Sequence, residues 1–245
     1  MTDKPMTDAE LARAIADEAG ELLLAIADVS DLEGRVLGDA GDARANALIL
    51  ARLAAARPDD AILSEERECD GARLSSRRVW IVDPLDGTRE YRERRTDWAV
   101  HIALAVDGVA VDGAVALPRL GLTLATDQPP TLAPANNPPR MVVSRTRPPE
   151  IALAVAEALG AELVPMGSAG AKAMAVVRGE ADIYLHAGGQ YEWDNCAPIA
   201  VARAAGLHVS RIDGSVPVYN QPNPSIPDLL ICRRELAARV LALLA

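Results

Sequence analysis

Apolar residues recur at helical spacing from near the start of the chain. Leu11, Ile15, Leu22 and Ile26 fall on one face, and "TDAE" from Thr7 to Glu10 matches a capping box, so a long first helix is predicted to about Val29. A second helix is predicted from about Asp42 to Arg57, with Leu48, Ile49 and Leu53 inward and Pro58 past its end. "AILSEE" and "RVWIVD" are short apolar runs ending in acids, which read as two buried strands. "WAVHIALAVDGVAVDGAVAL" sets two Asp-Gly dipeptides between β-prone runs, a strong hairpin signal, and "GLTLAT" adds a strand.

"DQPPTLAPANNPPR", residues 127–140, has five prolines and no periodicity, as expected of a lobe boundary or surface loop. Beyond it strands and helices alternate: "MVVS", a helix over Glu150 to Leu159, "AELVPM", a helix from about Ala169 to Arg178, and "ADIYL". A helix from about Asp194 to Ala205, strands near "HVS" and "LLI", and a terminal helix complete the chain. The pattern predicts an α+β lobe over 1–140 and an α/β lobe over 141–245.

Composition narrows the function. Of the 245 residues half are apolar, dominated by Ala, Leu, Val and Ile with no Phe, which suits closely packed helices. Thirty-five acids against 25 Lys and Arg give a net charge of −10, which weighs against a nucleic-acid polymer or an anionic membrane as partner. A small phosphorylated substrate remains compatible, because bound cations reverse the local field. Cys69, Cys196 and Cys232 form no CxxC or framework pattern, there is no signal-peptide pattern, and no apolar run approaches membrane-spanning length, so a cytoplasmic chain is expected.

The acids stand at element ends. Glu65 and Glu66 close one strand, Asp83 and Asp86 in "VDPLDGTREY" close the next, Asp42 opens a helix, and Asp194 opens another after "YEW". Singly, each has an ordinary reading: a solvated loop, a turn built on Asp-Pro and Asp-Gly, or a helix N-cap. Convergence changes that. Carboxylates gathered at the ends of elements sharing a core suit a hard cation such as Mg²⁺, which binds oxygen ligands and keeps room for a phosphate. Gly87 and Thr88 could then offer backbone N–H groups to that phosphate if a helix starts there. His101 and His208 read as packing residues, Cys69 as an inert thiol and "REYRERR" as a solvated face or a cationic rim.

"WIVDPLDGTREY", with "LSEE" upstream and "GSAGAKAMAVVRGEADIYL" and "EWDNCAPIAVARAAG" downstream, resembles the lithium-sensitive, magnesium-dependent phosphatase superfamily. That group includes inositol monophosphatases, fructose-1,6-bisphosphatases and CysQ-type 3′(2′),5′-bisphosphate nucleotidases, and "YNQPNPSIPDLLICR" is most similar to bacterial CysQ proteins. The resemblance implies a layered αβαβα sandwich of the sugar-phosphatase type, with the site between two lobes. It implies that Glu65, Asp83 and the Leu85 carbonyl ligate one Mg²⁺, that Asp83, Asp86 and Asp194 hold a second, and that a weaker third sits near Glu65 and Asp42. Thr88, with Asp42 behind it, would orient the attacking water. Leu85, Asp86, Gly87, Thr88 and Asp194 would meet the phosphate end of the substrate, and Ser168 and Lys172 its nucleoside or sugar portion.

The implied activity is removal of the 3′-phosphate from 3′-phosphoadenosine 5′-phosphate or its phosphosulfate in sulfate assimilation, with inhibition by Li⁺ and a homodimer as the family's frequent state. Inositol-1-phosphate and fructose-1,6-bisphosphate are the alternative substrates. An aspartyl-phosphate mechanism would need Asp-x-Asp, whereas these acids are three apart, and a non-enzymatic cation or nucleotide-binding module would not need Thr88. Departures from the family pattern fall on "LGDAGD" around Asp42, on His186 where Arg is common, and on Arg147 where His is frequent.

Overall fold

The computed structural model describes residues 6–68 and 71–245; Cys69 lies outside them. Helix α1 (Asp8–Val29) begins at the expected capping box: the Thr7 hydroxyl accepts from the Glu10 amide, and the Glu10 carboxylate accepts from the Thr7 amide at 2.8 Å. Helix α2 spans Gly34–Ala56, eight residues longer at its start than the sequence pattern predicts. Asp42 therefore does not open a helix. It sits in the interior of α2 on the buried face, because Leu37 and Gly38 one turn earlier are already packed inward.

The first sheet has strand order β1-β2-β3-β4-β5, comprising β1 (Ala61–Ser64), β2 (Arg78–Asp86), β3 (Ala99–Val106), β4 (Val109–Leu117) and β5 (Leu122–Ala125). β1 and β2 are parallel and the remaining neighbours antiparallel. Of the two Asp-Gly dipeptides, Asp107-Gly108 is the β3–β4 turn, but Asp112-Gly113 lies within β4. Gly113 is there for approach: a Cβ on it would stand 3.3 Å from the Ala197 Cα, so its bareness lets a helix lie close on the sheet. The short helix α3 (Thr88–Arg92) follows β2 directly.

The second sheet runs β7-β6-β8-β10-β9, from β6 (Arg140–Ser144), β7 (Glu162–Met166), β8 (Ile183–Tyr191), β9 (His208–Ser210) and β10 (Ser225–Cys232). Three apolar clusters define the layers. One joins α1 and α2 to the outer face of the first sheet through Ile15, Leu23, Ile49, Trp80 and Val100. The largest packs α5 (Ala169–Val177) and α6 (Glu192–Ala204) between the two sheets through Met174, Val176, Ile199 and Val201. The third covers the far face of the second sheet with α4 (Glu150–Leu159) and α7 (Arg234–Leu244) through Val155, Leu159 and Val240. This is the αβαβα layering. No helix among the described residues is long and apolar enough to cross a membrane.

Candidate active site

Two carboxylates three positions apart on a regular strand would face opposite ways, since side chains alternate with a period of two. In β2 they do not. Asp83 pairs with His101 and Asp86 with Ala99, so three steps of β2 run against two of β3. The extra residue is a bulge at Pro84-Leu85, where proline's missing N–H is tolerated. His101 and Ala99 share a face, and their partners Asp83 and Asp86 therefore share it too. It is the face turned to the central helices. α6 adds Asp194 from its first turn, two residues inside a helix that starts earlier than expected, at Glu192. One carboxylate oxygen from each of Asp83, Asp86 and Asp194 lies within 4.8 Å of the others. Glu65, just past the end of β1, is exposed as a residue but turns its carboxyl against Asp83.

The members of this cluster have different electrostatic surroundings. Asp86 receives the Ser168 hydroxyl at 2.6 Å, the Gly170 amide at 2.6 Å and the Ala169 amide at 3.1 Å, the start of α5 serving as its anion cradle. His101 Nε2 stands 3.2 Å from Asp86 Oδ2, off the line of a good hydrogen bond, and its Nδ1 is 3.0 Å from the Trp193 carbonyl. Burial would raise Asp86, yet the charge and contact of His101, with Ser168 and Gly170, bring its pKa down to about 2. The same pairing raises His101 against the opposing effect of burial. A side chain at Gly170 would collide with His101 Nε2, so the glycine is what admits the ring.

Asp83 is the converse case. Burial, then Glu65, Asp86 and Asp194, push its pKa well above the carboxylate range, and its donor is the Leu85 amide at 3.0 Å. Burial and then Asp86 raise Asp194 to about 7. Burial, then Glu66 and Glu65, raise Asp42 to about 7 as well. No ion-pair partner for Asp83 is present among the described residues, and Lys172 is occupied: it donates to the Gly167 and Ser168 carbonyls, 5.5 Å above the Tyr184 ring. Oxygen donors held together with excess negative charge fit a hard divalent cation.

The cluster unites Asp83, Asp86 and Asp194, with Glu65 at its edge. Asp42 is electrostatically coupled to Glu65 and Glu66 but stands outside the trio. Thr88 begins α3 and donates to the Leu85 carbonyl at 3.2 Å rather than to Asp42. Ser168 and Lys172 face inward, toward Asp86 and the loop carbonyls, with 7% and 6% exposure. His101, which the sequence pattern presents as a packing residue, is the further member of the site, set against Asp86. Its signal was a lone polar ring in the run "WAVHIALAV", on a strand that must lie beside "VDPLDG".

The whole arrangement has relatives. The model of the inositol monophosphatase family matches residues 7–245. This chain belongs to the inositol monophosphatase family. A protein named 3′-phosphoadenosine 5′-phosphate phosphatase from Mycobacterium leprae is 50% identical over 254 aligned residues, covering 98% of this chain and 94% of that protein. One of the same name from Mycobacterium tuberculosis is 52% identical over 239 residues, with 93% and 90% covered. The crystal structure of CysQ from Bacteroides thetaiotaomicron, a bacterial member of the family, superposes with a TM-score of 0.79 at 28% identity, covering 93% of this chain and 97% of that one. The layered fold and its two sheets are thus the family's.

Proposed function

We propose that this member of the inositol monophosphatase family is a Mg²⁺-dependent phosphomonoesterase that removes the 3′-phosphate of 3′-phosphoadenosine 5′-phosphate, or of its phosphosulfate, in sulfate assimilation. The observation that carries the reading is whole-length identity of about half to relatives named for that activity, in a chain with a largely buried carboxylate cluster. Asp83, Asp86 and Asp194, with Glu65 and the Leu85 carbonyl, are the residues that would hold two Mg²⁺ ions, with a third near Glu65 and Asp42. Bound there, Mg²⁺ supplies charge neutralisation at phosphate, activation of water and stabilisation of the leaving ribose oxygen. The chain's own residues supply position. The Thr88 hydroxyl, its proton given to the Leu85 carbonyl, keeps lone pairs free to accept from and orient the attacking water. The amides of Gly87, the N-cap, and Thr88, the first residue of α3, have no intrahelical acceptor, as at any helix start, and suit phosphate oxygens. Ser168 and the α5 amides keep Asp86 ionised and fixed.

The test is phosphate release with Mg²⁺ from adenosine 3′,5′-bisphosphate, inositol-1-phosphate and fructose-1,6-bisphosphate, compared as kcat/KM. The bisphosphate nucleotide should lead, and Li⁺ should inhibit where Na⁺ at the same concentration does not. Preference for either sugar phosphate would overturn the substrate assignment.

A further inference from the structure

A second bulge lies at the rim of this site, in β8. His186 pairs with Leu229 and Tyr191 with Ser225, and between them Ala187 to Gln190 runs against Asp228 to Ile226, three steps against two. Five residues apart, His186 and Tyr191 would point to opposite faces of a regular strand; the extra residue turns them to the same one. That face is the central-layer side, where the Tyr184 ring meets Lys172. Gly188 and Gly189 form the bulge with φ of 98° and 79°, and a Cβ on either would meet nothing within 4 Å. An open strip of bare backbone therefore leads up to an aromatic ring.

The Tyr191 ring lies flat on Trp193, with centroids 4.8 Å apart and planes within 11°. Trp193 packs against the central core on one side, while Tyr191 is 47% exposed. The pair is tied to the acidic cluster through the backbone, because the Tyr191 amide donates to Asp194 at 2.5 Å. Tyr191 is the N-cap of α6 and Asp194 its third residue, so the exposed ring and a member of the acidic cluster are held at the start of one helix.

We infer that Tyr191, backed by Trp193, is a specificity-determining residue that stacks on the substrate's nucleobase, an inference that rests on the nucleotide reading above. A rigid, pre-stacked ring offers a π-face at little entropic cost, and every base has a face to match it. An inositol or fructose phosphate has none and gains nothing from the platform. The bare Gly188-Gly189 strip leaves room for a flat heterocycle to slide over the ring.

The experiment compares wild-type protein with Tyr191→Ala and Tyr191→Phe on adenosine 3′,5′-bisphosphate and on the abasic deoxyribose 3,5-bisphosphate. Tyr191→Ala should raise KM for the nucleotide roughly 5- to 150-fold, the usual worth of one stacked base. Its kcat should stay near wild type, its abasic kinetics should be unchanged, and Tyr191→Phe should behave as wild type. Equal loss on both compounds, or an unchanged nucleotide KM, would overturn the proposal. Calorimetric titration with adenosine 5′-phosphate reads the platform without turnover: weaker binding to Tyr191→Ala than to wild type supports it, whereas equal or no binding in both overturns it. Failure of the activity assignment would instead show as a wild-type protein that binds adenosine 5′-phosphate yet releases no phosphate from the bisphosphate.

Discussion

His101 stands directly across the strand ladder from Asp83, yet its ring serves Asp86: Nε2 lies 3.2 Å from Asp86 Oδ2. Fully buried, and with its other nitrogen at the Trp193 carbonyl, it bridges the β2 acids to the start of α6. His101→Asn should therefore lower the stability of the metal-free protein by about 1–3 kcal/mol, the cost of leaving a buried charge short of a partner. It should also raise the Mg²⁺ concentration needed for half-maximal activity. Unchanged melting and unchanged Mg²⁺ dependence would reduce His101 to packing.

The two β2 acids should respond oppositely to neutralisation. In metal-free protein Asp83 is crowded by Glu65, Asp86 and Asp194, so Asp83→Asn should raise the melting temperature. Asp86 has three hydrogen-bond donors and His101, so Asp86→Asn should lower the melting temperature, with a stability loss of about 1–3 kcal/mol. Both variants should lose Mg²⁺-dependent turnover. Calorimetry with and without chelator checks the pair, and shifts of the same sign would mean that the carboxylates are not electrostatically distinct.

Metal removal should invert the pH dependence of stability. Asp42 and Asp194 have folded pKa values near 7, and Asp83 lies well above its ordinary value. A carboxylate raised on folding binds its proton more tightly in the native state, so its stabilisation is present at low pH and disappears as pH climbs from the carboxylate range through about 7. Chelated protein should lose this contribution between pH 4 and 7, whereas the stabilisation by Mg²⁺ should grow over the same range as ligands give up protons. Melting curves across pH in EDTA and in Mg²⁺ measure both slopes. A Mg²⁺ increment independent of pH would contradict the shifts.

Thr88 separates catalysis from helix capping. Its hydroxyl bonds to the Leu85 carbonyl at the start of α3, so Thr88→Ala should cost about 1 kcal/mol or less in stability. The loss in kcat should be far larger, on the order of 10²–10⁴-fold, with substrate affinity nearly kept, and Thr88→Ser should restore much of the rate. A Thr88→Ala enzyme of near-native kcat would leave only the local bond.

Most elements and the acids at their ends were legible in the sequence, although the starts of α2 and α6 and the place of Asp112-Gly113 were not. The Thr7–Glu10 capping box, the apolar runs and the acids after them depend on near neighbours, and local spacing records such interactions. It also placed Asp83, Asp86 and Asp194 in one candidate cluster. The directions of the site's own side chains depend instead on how the layers pack. Strand alternation alone sends Asp83 and Asp86 apart, and it takes the unequal register of β2 against β3 to bring them together. Asp42 falls inside α2 because Leu37 finds a core that no local pattern specifies. His101 reaches Asp86 because Gly170, 69 positions away, presents no side chain to exclude its ring. Register and close packing are set by groups distant in sequence, each indifferent to the other until the layers meet.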